Sequence, residues 1–283
     1  MTVSIRLLSS FAVVAVVGLL GSAGSLVIAQ QDPEAVVVAF SDPSRPGKVI
    51  AEIVSGGITV KGESRRDVSI ATGQVPDKPS VRPQPPQGPA QGLRRLSQSP
   101  GFTVEEDRNE MKIEATSFRR RSGVFELRVP ARTNLKLSAV NDGVITVENV
   151  EGDLEIENVN GPVVLTNVSG SVVANSVNGG VKAQLTRVTA QKAMAFTSLN
   201  GNVDVTLPAT LKATLKMRSD QGDIFSDFDV QLRSVPTTPN NNPRASGKLR
   251  LEVNRSIYGA VNGGGPEIEL RTFNGSVFLR KGQ

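Results

Sequence analysis

Glycines stand at positions 143, 152, 161, 170 and 179, nine residues apart each time. Aligned on the glycine, the units read GVITVENVE, GDLEIENVN, GPVVLTNVS, GSVVANSVN and GGVKAQLTR. A fixed period of this kind is the mark of a repeat architecture. Two residues after each glycine stands Ile145, Leu154, Val163, Val172 or Val181, and four after it Val147, Ile156, Leu165, Ala174 or Ala183. These two positions share one face of a strand. Seven after the glycine stands Val150, Val159, Val168 or Val177, which points inward with the others only where the chain turns a corner. A coil with regular corners does this, its turns stacking about 4.8 Å apart. One nine-residue unit is too short to enclose an interior. Two units, eighteen residues, would form a flattened turn with one short strand in each of two facing sheets, and a larger turn is the alternative. The expected class is all-β, a parallel β-helix or solenoid.

Six residues after the glycine stand Asn149, Asn158, Asn167 and Ser176, which predicts a side-chain ladder at a corner. The rival architecture is an antiparallel meander, because Asn160-Gly161, Asn178-Gly179, Asn200-Gly201 and Asn274-Gly275 are good hairpin dipeptides. A meander does not account for the fixed register, so the solenoid is preferred.

Short β-branched runs precede the repeats, at 36–38, 50–54, 58–60, 68–70, 102–104, 111–115 and 124–129. Between them, 76–100 holds seven prolines and is expected to be a loop outside any sheet. A second loop is expected at 234–247. Arg6 is the only charge in the first 29 residues, and the apolar run Leu7–Leu20 follows it. That pattern reads as a signal peptide over 1–29, with an uncleaved N-terminal anchor as the alternative, leaving 30–283 as one β-solenoid domain that is exported to the periplasm, outer surface or medium. No later stretch is apolar enough to span a bilayer.

The chain has no Cys and no His. Disulfides, thiolate and imidazole metal sites and His-based triads are thereby excluded. With ten Phe, one Tyr and no Trp, aromatic stacking platforms are scarce. The net charge of +5 is spread along the chain and implies no nucleic-acid partner. No cofactor is expected.

Asp153, Glu155 and Glu157 alternate with Leu154 and Ile156, so the three acids share one outward face. A glycosidase needs two carboxylates across a cleft, which a row on a convex sheet does not provide. Glu267 and Glu269, and the group Asp223, Asp227 and Asp229, read as solvated or turn positions. Arg119, Arg120 and Arg121 form the densest basic cluster. These three and the acidic row are the candidate surface contacts; no catalytic or metal-binding residue is assigned.

Several segments carry a family resemblance. They are 55–62 with 67–70, 92–96, 129–137, 222–228, and 262–266 with 272–275. Their order resembles DUF4097, a bacterial adhesin-like family of exported β-solenoid proteins, over residues 50–281. The resemblance implies a β-helix-like fold, export and an envelope setting, and it brings no catalytic residues. The reading is a non-enzymatic binding, adhesin-like or scaffold protein. Its partners would be an envelope polysaccharide, another surface protein or a further copy of itself. The alternative is a polysaccharide lyase or hydrolase.

Overall fold

The computed structural model describes residues 35–74, 102–115, 123–141, 143–189, 192–233 and 256–282. All regular structure among them is β-strand. The Pro-rich segment, the second loop, the expected signal peptide and Arg119–Arg121 lie outside the described residues.

The strands in chain order begin with β1 (Val36–Ala39), β2 (Gly47–Ser55), β3 (Gly57–Glu63), β4 (Asp67–Gln74) and β5 (Phe102–Asp107). Next come β6 (Glu110–Ala115), β7 (Gly123–Pro130), β8 (Thr133–Asn141), β9 (Ile145–Glu148), β10 (Glu151–Asn158) and β11 (Val163–Asn178). The chain continues through β12 (Val181–Val188), β13 (Met194–Asn200), β14 (Val203–Pro208), β15 (Ala213–Ser219) and β16 (Ile224–Ser226). It ends with β17 (Gln231–Arg233), β18 (Ile257–Val261), β19 (Glu267–Asn274) and β20 (Val277–Gly282).

Parallel pairing stacks these strands into two sheets. The front sheet runs β6, β2, β8, β10, second half of β11, β13, β19, β15. The back sheet runs β7, β3, β9, first half of β11, β12, β14, β20, β16. Seven front strands turn a corner into their back partners, and β6 and β7 stand at one further level, giving eight rungs among the described residues. The meander is thereby excluded, and the Asn-Gly dipeptides are corners rather than hairpins. Gly152 lies beside Gly170 in register, so one full turn is eighteen residues.

The rungs are not stacked in chain order. β2–β3 lies between β6–β7 and β8–β9, and β19–β20 lies between β13–β14 and β15–β16. A terminal rung is thus intercalated at each end. Among the described residues antiparallel strands cover three of the four outer edges, all but that of β16: β5 on β6, β4 and then β1 on β7, and β18 on β15, with β17 beyond it. Such edges do not offer the parallel pairing that another rung would need.

The interior is one apolar core, with Ile58, Phe125, Ile145, Ile156, Leu165, Phe196 and Val203 buried. The position seven after the glycine departs from expectation. Val150 and Val168 are buried, but Val159 and Val177 are exposed. The nine-residue unit alternates between two unlike corners. At the first corner, front to back, the strand stays extended through Asn158 or Ser176, which points in and throws the next valine out. At the second corner, Asn149 and Asn167 adopt positive φ (58° and 53°) and turn the following valine inward.

The single corner ladder read from the sequence is correspondingly divided. Asn167 Nδ2 donates to Asn149 Oδ1 (2.5 Å) at the second corner. At the first corner the inward side chains donate to glycine carbonyls: Asn158 to Gly143 (2.9 Å), Ser176 to Gly161 (2.9 Å), Ser198 to Gly179 (2.8 Å). Thr272 and Ser219 continue this pattern, to Gly201 (2.7 Å) and Gly275 (2.8 Å). A longer ladder climbs the outside of the first corner, in which Asn160, Asn178, Asn200 and Asn274 each donate to the asparagine one rung before, beginning at Asn141.

Candidate functional site

The second corner, where back strands return to the front sheet, carries a groove with charged walls. Two open depressions of about 320 and 340 Å3 meet at Pro46 and Arg132. Arg132 sits in the turn from β7 to β8, and Arg65 and Arg66 in the turn from β3 to β4. These residues are neighbours because β3 pairs with β7 in register, Glu63 beside Pro130. Intercalation of the β2–β3 rung therefore builds the groove.

Most charges there are paired. Arg45 holds Asp42 (2.7 Å), Arg65 holds Asp67 (2.6 Å) and lies 3.6 Å from Glu63, and Arg187 holds Glu151 (2.6 Å). Lys192 holds Asp153 (2.7 Å), and Ser171 donates to the same carboxylate (2.9 Å). The hydrogen bond from Lys192 keeps the Asp153 carboxyl below its ordinary range; partial burial opposes this and Ser171 assists it. Arg66 and Arg132 are exposed and have no ion-pair partner among the described residues.

The groove can therefore bind anions. The acids lining it, Glu63, Glu151 and Asp153, are each engaged by a cation, which leaves them poorly placed for proton transfer. Among the described residues no three carboxylates converge as a metal site, and this includes Asp223, Asp227, Asp229, Glu267 and Glu269. Glu269 pairs with Lys216 (3.1 Å).

The acidic row lies on the outward front face, with all three residues exposed. Asp153 belongs to the groove, Glu155 pairs with Lys136 (2.8 Å), and Glu157 stands further along the strand. The Asn262–Pro266 turn joins β18 to β19 through three successive left-handed residues, Asn262, Gly263 and Gly264 (φ 50°, 88° and 87°). The groove arginines escaped the sequence reading because Arg66 and Arg132 are distant in the chain. The available signal was that each stands in the turn that follows a strand, after Gly62-Glu63-Ser64-Arg65 and after Pro130-Ala131.

No curated protein matches the chain. Two solved structures are similar at low identity. One, named as a putative cell adhesion protein of Clostridium sporogenes ATCC 15579, is 11% identical, with a TM-score of 0.42 over 88% of this chain and 100% of that one. The other, named as a putative adhesin of Bacteroides fragilis NCTC 9343, is 10% identical, with a TM-score of 0.27 over 87% of this chain and 95% of that one. The family model described as Toastrack DUF4097 matches residues 117–256, the segment that runs through the nine-residue repeats. The match spans 140 of the 283 residues, and the repeats and the two-sheet stack agree with it: over this segment the chain is a DUF4097-like β-solenoid.

Proposed function

We propose that the protein is an exported, non-enzymatic binding or scaffold protein of the cell envelope that holds an anionic polymer along its second-corner groove. The observation that carries this reading is that Arg66 and Arg132, which have no ion-pair partner among the described residues, stand together beside an open depression. A guanidinium binds carboxylate or phosphate through a planar fork of donors, and a pair of them fits a repeating acidic chain. The apolar 7–20 segment with its single preceding charge supports export. The partner class is an acidic envelope polysaccharide. Arg119, Arg120 and Arg121, together with Asp153, Glu155 and Glu157, are further candidate contacts.

The test mixes the purified protein with envelope polysaccharide and with peptidoglycan, then reads co-sedimentation and new sugar ends in one tube. Pelleting without new ends is expected. Arg66→Ala with Arg132→Ala should weaken binding by about tenfold or more, since each charged hydrogen bond contributes about 1.5–3 kcal/mol. New sugar ends would overturn the reading in favour of a polysaccharide-cleaving enzyme, and unchanged binding by the double variant would move the site elsewhere.

A further inference from the structure

The front sheet carries an apolar column on its outer surface. Val54, Val140, Val159, Val177, Leu199 and Phe273 follow one another rung by rung, each 37–48% exposed. Two residues back along each strand, a second outward column changes sign along the stack. Its near end is Glu114 and Glu52, its middle Ser138, Glu157, Asn175 and Thr197, and its far end Arg271 and Arg218. Glu52 and Arg271 have no ion-pair partner among the described residues.

We propose that this face binds the same face of a second copy, with the two stacks antiparallel. A two-fold axis along the strands, between the β10 rung and the rung of β11's second half, exchanges the first rung with the eighth and the second with the seventh. Glu52 then faces Arg271 of the other copy; Glu114 and Arg218 also face each other but are already held within each copy by Lys112 and by Asp220 (2.7 Å), so the charge complement rests on Glu52 and Arg271. In the apolar column Val159 meets Val177, Val140 meets Leu199, and Val54 meets Phe273. One surface thus supplies both halves of the contact, as a two-fold interface requires. The axis keeps the strands of the two sheets aligned, the usual way in which sheets pack face to face.

The acids in the middle of the face are accommodated. Glu155 keeps Lys136 at 2.8 Å, and Glu157 meets the side-chain amide of Asn175. Eight strands at about 4.8 Å, with side chains about 7 Å apart along each, give on the order of 700 Å2 per copy. A standard interface buries about 800 Å2 per partner. Because the axis follows the strands, both second-corner grooves lie along the same edge of the dimer. A long polymer could bridge them, which raises apparent affinity without a new contact. The dimer itself does not depend on the groove's ligand.

Sedimentation velocity of the purified protein, from about 1 µM to about 500 µM, tests this within the range of interfaces of this size. A reversible dimer is expected. Glu52→Arg or Arg271→Glu alone should raise its dissociation constant about tenfold or more, and the two together should return it to within about threefold of the parent. Val177→Asp should give monomer with an unchanged β-sheet circular-dichroism spectrum. A parent that stays monomeric or forms open-ended chains would overturn the proposal. So would a dimer indifferent to the single reversals, or a double reversal no better than either single one.

Discussion

Asn158 occupies the inside of the first corner, where the equivalent residues of other rungs are Ser176, Ser198, Thr272 and Ser219. All five donate a hydrogen bond to a glycine carbonyl, which would otherwise be buried without a donor. Asn158 also reaches the Pro162 carbonyl (3.1 Å), but its own Oδ1 is buried and unsatisfied. An unmade bond of this kind costs about 1–3 kcal/mol. Asn158→Ser should therefore be neutral or stabilising by about 1 kcal/mol. Asn158→Ala removes the donor and should cost about 1–3 kcal/mol, read from urea midpoints. At this scale the sequence was half readable. It shows that polar residues recur at corners. It does not show that alternate ones point in and out, because the unit visible in the sequence is half of the turn that the chain builds.

The corner is the element on which the stack depends. Gly56, Gly143, Gly161, Gly179, Gly201, Gly275 and Gly222 form a column in which each backbone lies against the next. A Cβ on Gly161 would fall within the van der Waals envelope of the Gly143 carbonyl oxygen, and neither backbone can retreat without breaking a rung. Gly161→Ala should cost about 3 kcal/mol or more, at the upper end for overpacking, in the same urea experiment. This column accounts for the spacing in the sequence: glycine recurs because the next rung passes through the space a side chain would fill. The intervening glycines 152 and 170 play the same part at the second corner, where each would also collide with backbone of the preceding rung. The Asn-Gly pairs suit hairpins and corners equally in local conformation. Only the register between them favours the corner.

At the scale of the whole molecule, the regular middle was readable and the ends were not. Between residues 143 and 188 each rung stacks on the one before it, so the period appears directly in the sequence. The ends depend on pairings across long intervals, such as β2 with β6 and β14 with β20, which no local pattern encodes. Intercalation has two consequences. It brings Arg66 and Arg132 together in the groove, and it places the rung first in chain order and the rung last in chain order one level inside the ends of the stack. A simple solenoid can lose a terminal rung and keep the rest. Here, removing β19–β20 would open a gap between β13–β14 and β15–β16.

Rung order can be read by disulfide formation, because the chain contains no cysteine. Lys61 lies in register with Arg128 on one side and Glu148 on the other. Neighbouring strands are about 4.8 Å apart, within reach of a disulfide, whereas strands separated by one rung exceed the limit of about 7 Å. In double-cysteine variants under mild oxidation, Lys61→Cys is predicted to cross-link with Arg128→Cys and equally with Glu148→Cys. Arg128→Cys with Glu148→Cys is predicted to stay reduced. Efficient cross-linking of the Arg128–Glu148 pair, with none between Lys61 and Glu148, would mean that the rungs stack in chain order and would contradict both the architecture and the groove built on it.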